Sequence, residues 1–397
     1  MSKYKSFNIL QIYKKYRGQY FNNTDKLMDN IKVNRLETIL YYEIKNNKFK
    51  NILSEEQENI IKKNALSKMI KAKLKYIKAM ELFKAFNEKS VQAVALKGII
   101  IRSYYVNPEL RTMTDIDLLV RENDMNKCEN ILLRLGYTYD HETPAHKVYK
   151  DKNNLIIELH STLIDEDYYK KDNPYLDVFE RVRSVELGEE KIYALGYTDQ
   201  LIHLITHMIT HIYSSSINIR QFLDIALFVN KENEKINFVD FKYKGEIYGF
   251  YRNAILILSI CDDMFECNIP KEIKNDFNLL SKSQKEIIID MLFSKKALGK
   301  DKFTHSIGSS IAYDRNNKDD NSVWIKYIRY LFPNYNIMRD KFNYCRRYKY
   351  LLPIAWIHRI ITGGITKEKS IIKKVSLIIK SFKVSRNKIK IMKELEL

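Results

Sequence analysis

Glycine and proline are scarce in this chain, 11 and 6 among 397 residues. So few breakers exclude a loop-rich or collagen-like architecture and favour long helices. Cysteine is scarce as well, and Cys128, Cys261, Cys267 and Cys345 contain no C-x-x-C pair. That spacing excludes a zinc ribbon or a thioredoxin-like redox motif, and a chain of this size needs no disulfide staples. Long apolar runs are missing too. The longest, 254–260 and 350–357, are each interrupted once and fall far below the roughly 20 residues of a membrane span. The segment 1–20 has no apolar stretch of signal-peptide length. These absences together lead to the expectation of a soluble, reduced, cytoplasmic protein.

What is present is a 45% hydrophobic content, ample for a buried core, and a large excess of positive charge. Lys and Arg number 68 against 49 Asp and Glu, a formal net charge of +19. Such a field favours anionic partners: nucleotides, nucleic acid or an acidic membrane surface. Part of the excess follows from a composition dominated by Lys, Ile, Asn and Tyr, and no nucleic-acid-binding motif accompanies it.

Periodicity divides the chain into a helical beginning, a sheet-forming middle and a helical remainder. Over 36–87, Leu66, Ile70, Leu74, Ile77, Met80 and Phe83 recur at three- and four-residue steps, which predicts one buried helix face with lysines on the other. Short apolar runs then predict strands at 91–96, 116–120, 146–150 and 155–160. A helix carrying Cys128, Ile131, Leu132 and Leu135 lies among them, capped by Asp124 and stopped at Gly136. Helices resume at 199–213, 218–229, 250–298 and 322–347. The expected fold is α+β, a small mixed-sheet core embedded in a largely helical chain. The expected divisions are 1–90, 91–197 for the core, 198–320, and 321–397.

The chemistry concentrates in the core. Side chains alternate along a strand, so Asp115 and Asp117 project from one face while Ile116 and Leu118 project from the other. Two neighbouring carboxylates repel, and a divalent cation removes that cost. Mg²⁺, or Mn²⁺, suits such oxygen ligands and substrate phosphates together. Glu158, a lone acid in the apolar strand 156–160, supplies a third donor. The three make a metal and catalytic set fit for in-line attack at the α-phosphorus of a nucleoside triphosphate such as ATP. Lys97 and Gly98 at a strand end, with Arg111 four residues before the first Asp, are the candidate phosphate contacts. His146 and His160 flank the acids and suit phosphate contact or proton transfer.

The stretch resembles a bacterial family of uncharacterised nucleotidyltransferases within the DNA polymerase β superfamily. The resemblance rests on Leu96-Lys97-Gly98, Tyr104-Tyr105 with Pro108, Arg111, and Asp115-Ile116-Asp117-Leu118-Leu119-Val120. It continues through Leu135-Gly136-Tyr137, His146 and Glu158-Leu159-His160, then His203, His207 and the helix Ile219-Arg220-Gln221-Phe222-Leu223-Asp224. It implies a metal-dependent transfer of a nucleoside monophosphate to an acceptor in protein, RNA or small-molecule form. Lys97-Gly98 departs from the superfamily's Gly-Ser or Gly-Gly at this point, which bears on how the triphosphate is held.

Other readings compete for parts of the sequence. A D-x-D glycosyltransferase also holds metal and nucleotide, but its longer βαβ stretch before the motif has no counterpart here. A non-catalytic module that binds nucleotide or an acidic partner through an inherited site is the alternative. His203, His207 and His211 share a helix face but lack the carboxylate of H-E-x-x-H, so packing explains them better than a metal. Arg220 and Asp224 read as a structural i,i+4 pair. From Lys367 onward ten Lys or Arg face three Glu. There Ile371, Val375, Ile378, Ile379 and Phe382 form a basic amphipathic stripe suited to packing or to peripheral contact with an acidic membrane.

Overall fold

The computed structural model describes residues 9–17, 24–46, 53–143, 146–163, 177–214, 216–293, 331–362 and 389–396, with 328 and 386. The chain divides into two compact units, 1–209 with 218–285, and 210–217 with 286–397. In the second unit Met338, Cys345 and Ala355 form a small buried cluster, covered by Phe342, Tyr344, Leu352 and Trp356. The basic stripe of the tail lies outside the described residues, as do 322–327, 329 and 330 of the helix expected at 322–347 and 294–298 of the block expected at 250–298.

The first unit begins with helices α1 (Ile9–Arg17), α2 (Thr24–Val33), α3 (Glu37–Lys45) and α4 (Glu55–Glu88). Ser54 starts α4 through a reciprocal box, its hydroxyl accepting from the Gln57 amide while the Gln57 side chain accepts from its own. The face that α4 buries differs from the one that bulk suggests. Ile61, Ala65, Ala72, Ala79, Leu82, Phe83 and Phe86 are inside. Leu66, Ile70, Leu74 and Ile77 are exposed. Alanines at seven-residue steps, Ala65, Ala72 and Ala79, belong to that buried face. Of the expected stripe, only Phe83 is fully buried.

A seven-stranded mixed sheet follows: β1 (Val94–Ala95), β2 (Asp115–Leu119), β3 (Thr138–Glu142), β4 (His146–Lys150), β5 (Ile156–His160), β6 (Arg183–Leu187) and β7 (Glu190–Ala194). Their order across the sheet is β3-β4-β5-β2-β1-β7-β6. The β2–β5 and β1–β7 pairs are parallel and the others antiparallel. The fold class is therefore α+β. Between β1 and β2 lies the one-turn helix α5 (Gly98–Ile101). Helix α6 (Met125–Arg134) ends where Gly136 takes φ +84°, the left-handed conformation that glycine adopts without strain. Asp124 occupies the cap position of α6 without capping it; its carboxylate pairs with Lys127 at 3.1 Å instead.

Helices α7 (Tyr197–Ser214), α8 (Ile219–Glu232), α9 (Phe238–Ile247), α10 (Tyr251–Phe265), α11 (Lys271–Asn275) and α12 (Lys282–Phe293) complete the described chain up to 293. Helices α8 and α10 are buried along most of their lengths. All four cysteines are buried and unpaired. Among the described residues no helix is long and apolar enough to cross a membrane.

Candidate active site

Strand register builds the site. Asp117 on β2 stands directly opposite Glu158 on β5, and Asp115 opposite Ile156. Direct partners share a face of the sheet, so Asp115, Asp117 and Glu158 converge on one side. One carboxylate oxygen from each lies within 4.8 Å of the others. On the far side of β5, His146 stands opposite His160 and Val148 opposite Glu158. The two imidazoles therefore join the same face, their ring centres 4.7 Å apart.

The charges are unevenly compensated. Asp117 is 5% exposed, and the Lys97 ammonium lies 3.4 Å from its Oδ1. Burial opposes ionisation of Asp117, but Lys97 and His160 outweigh it and hold the carboxyl well below the usual range. Asp115 shifts the opposite way, raised by burial and then by the Asp117 charge. A hydroxyl bond from Thr114, 3.0 Å to its Oδ2, relieves only part of this. Burial and the neighbouring His160 lower the His146 pKa. For His160, burial is outweighed by Asp117 and Glu158, and its pKa rises.

Lys97 owes its position to the backbone. The Leu96 amide bonds the Asp117 carbonyl at 3.0 Å, continuing the β1–β2 ladder. The chain then turns sharply at Lys97, which takes φ +37°, a conformation that costs a non-glycine residue about 1–3 kcal/mol. Such strain is characteristic of functional sites. Gly98 serves another purpose. A Cβ there would lie 2.9 Å from Arg111 Nη1 and 3.0 Å from the Met113 side chain, so its bareness makes room for the guanidinium.

Arg111 is committed elsewhere than to the open face. It is buried, with Nη2 2.9 Å from Asp224 Oδ2 and Nε 3.4 Å from Oδ1. The Tyr105 hydroxyl donates to Asp224 Oδ1 at 2.7 Å. Arg220, one turn before Asp224 on α8, reaches Oδ2 at 3.4 Å. Two guanidinium groups thus share one buried carboxylate. Burial, with Arg111 close by, lowers the Arg220 pKa to about 10. This Tyr105–Arg111–Arg220–Asp224 cluster ties α8 to the segment that enters β2. Sequence reasoning had only its Arg220–Asp224 half, because the remaining partners are more than 100 residues away along the chain.

Helix α7 brings His203 within electrostatic reach of the same site. Its pKa is driven well below normal by burial, then by Lys97 and His160. His207 follows one turn later, ring centres 6.1 Å from it. Among the described residues, the groups of His, Cys, Asp or Glu able to hold a metal are Asp115–Asp117–Glu158 and His146–Glu158–His160. The α7 histidines belong to neither.

The oxygen set fits a hard divalent ion. It offers carboxylates at mutual reach, one of them destabilised by the charge of the next, which is the repulsion a cation removes.

Comparison with known proteins places these residues in a context. The family described as uncharacterised nucleotidyltransferase matches residues 22–266, a span that contains the whole sheet. The crystal structure of the lincosamide antibiotic adenylyltransferase LnuA, with lincomycin bound, is similar at 16% identity and a TM-score of 0.27. The match covers 36% of this chain and 89% of that one. No curated protein matches the chain.

Proposed function

The chain belongs to the uncharacterised nucleotidyltransferase family, and from that premise we propose that it transfers a nucleoside monophosphate from a nucleoside triphosphate to an acceptor hydroxyl or phosphate, using Mg²⁺ or Mn²⁺. The observation that carries this reading is the register of β2 on β5, which sets Glu158 beside Asp117 with Asp115 on the same face.

Asp115, Asp117 and Glu158 would hold the metal, which supplies charge neutralisation for the triphosphate and the departing pyrophosphate. The acceptor oxygen attacks the α-phosphorus while its bond to the bridging oxygen of pyrophosphate breaks. Glu158, about one-fifth exposed, would help to take the acceptor's proton. Lys97, held beside Asp117 by its strained turn, would offer its ammonium to the phosphates. Arg111 holds that turn in place through Gly98 and Asp224 rather than touching phosphate. On this reading 91–197 is the catalytic core and the α8 cluster its support.

The test is direct. Purified protein is incubated with Mg²⁺ or Mn²⁺, each α-radiolabelled NTP in turn, and a cell extract separated into protein, RNA and small molecules. Label should enter one fraction and vanish with Asp117→Ala. Label absent from every fraction, or insensitive to the substitution, would overturn transfer and leave nucleotide binding without turnover.

A further inference from the structure

Beside the three carboxylates, the site holds a nitrogen-rich arrangement that nucleotide transfer does not require. Antiparallel pairing of β4 with β5 sets His146 against His160, and Glu158 lies two residues before His160 on the same face. One ligand atom from each of the three falls within 4.8 Å of the others. His160 Nε2 is 3.5 Å from Glu158 Oε2 and 3.6 Å from Asp117 Oδ1, and His146 Nε2 is 3.8 Å from the same Glu158 oxygen.

Those separations are too long for good hydrogen bonds, which for N–H···O cluster near 2.9–3.0 Å. His160 is 8% exposed, and its buried Nε2 faces the two carboxylate oxygens at ion-pair distance rather than in a close hydrogen bond to either. A nitrogen held at that distance from two carboxylate oxygens leaves room for an ion between them. The spacing suits one. A tetrahedral shell with bonds of roughly 2.1 Å places its ligand atoms about 3.4 Å apart, a few tenths of an ångström from the distances here.

We propose that His146, Glu158 and His160 form a second metal site, one that takes a borderline ion such as Zn²⁺ in preference to Mg²⁺. Two imidazoles and a carboxylate are the donor set of an open zinc site, which leaves a fourth position free. Imidazole nitrogen selects Zn²⁺ and its transition-metal neighbours, whereas an all-oxygen set suits Mg²⁺. Glu158 belongs to both groups and bridges them. The side chains of His146 and Glu158 are 21% and 22% exposed, so the ion enters from solvent on that side.

Co²⁺ reports on such a site, because nitrogen-ligated tetrahedral Co²⁺ absorbs strongly in the visible. Metal-free protein is titrated with Co²⁺ without nucleotide, so the result stands whether or not transfer is ever observed. One equivalent should raise the visible bands; Zn²⁺ should abolish them and excess Mg²⁺ should not. His160→Ala and His146→Ala should each weaken Co²⁺ binding by more than the roughly 10- to 100-fold that a supporting residue outside the ligand set is worth. Asp115→Asn, in the other group, should leave the bands in place. A wild-type protein without visible bands, bands lost equally to Mg²⁺, or bands that survive both histidine substitutions would each overturn the proposal.

Discussion

Asp115 and Asp117 share one face of a five-residue strand and titrate in opposite directions, Asp115 raised by burial and by the Asp117 charge, Asp117 held down by Lys97 and His160. Without metal, ionising Asp115 costs the fold, because burial and the Asp117 charge both oppose it. Asp115→Asn should therefore raise the melting temperature of metal-free protein. The sign follows from the raised folded-state pKa: the cost is present above it and disappears as pH falls below about 4, where wild type is protonated as well. The same variant should lose nucleotidyl transfer. Calorimetry at pH 7.5 and pH 4 checks the first claim, and an equal melting temperature at both would refute it.

Much of this arrangement could be read from the residues alone, and the part that could not has a physical pattern. Asp115, Asp117 and Glu158 stand in short apolar runs of strand length, so their secondary structure follows from the run and the shared face of Asp115 and Asp117 from their two-residue spacing. β3 escaped notice because all five of its residues are exposed, which leaves no apolar alternation to detect. The β6–β7 hairpin carries charged residues on both strands, and its parallel partner β1 lies nearly 100 residues earlier. On α4 the pattern was misleading: alanines mark the buried face and larger side chains point outward. Lys97 illustrates a third limit. Its positive φ comes from the turn out of β1, while the adjacent glycine, the residue usually associated with such a turn, is there to admit a side chain.

Asp224 is shared by two buried arginines, which makes the cluster asymmetric to mutation. Asp224→Asn leaves Arg111 and Arg220 buried without a counter-charge. It should cost about 3–5 kcal/mol. Arg220→Met removes the surplus cation and leaves the closer Arg111 pair intact, so its cost should stay below about 1.5 kcal/mol. Tyr105→Phe, which deletes one hydrogen bond to Asp224, should cost about 1 kcal/mol. Urea denaturation of the three variants checks the ordering. An Arg220→Met variant as unstable as Asp224→Asn would show that the surplus charge has another partner.

Gly98 and Arg111 form a contact that a single methyl group would break. Gly98→Ala places a Cβ 2.9 Å from Arg111 Nη1 and 3.0 Å from Met113. Because Asp224 anchors the guanidinium, Arg111 cannot swing aside freely. The expected loss is about 1–3 kcal/mol. A paired Arg111→Met change removes the obstructing head, so the double variant should lose less than the two single changes added together, with a coupling of about 0.5 kcal/mol or more. Strict additivity in a denaturation cycle would mean that Met113 alone carries the clash.

His203 supplies the pH dependence with the clearest sign. Buried throughout and pushed well below its ordinary pKa, it stays neutral in the folded protein while the unfolded chain takes up its proton near pH 6.5. Its contribution is complete above that pH and is eroded as pH falls, by up to about 1.4 kcal/mol per unit. His146, also lowered, adds to the same slope. His160 acts in a separate window: its raised pKa keeps its contribution whole below pH 6.5 and loses it as pH climbs through the folded value. Metal-free protein should thus melt at progressively lower temperature from pH 6.5 to pH 5, and His203→Gln should flatten that decline. An unchanged slope in the variant would mean that His203 is already protonated in the fold, and that the carboxylates, not Lys97, set the potential on that side of α7.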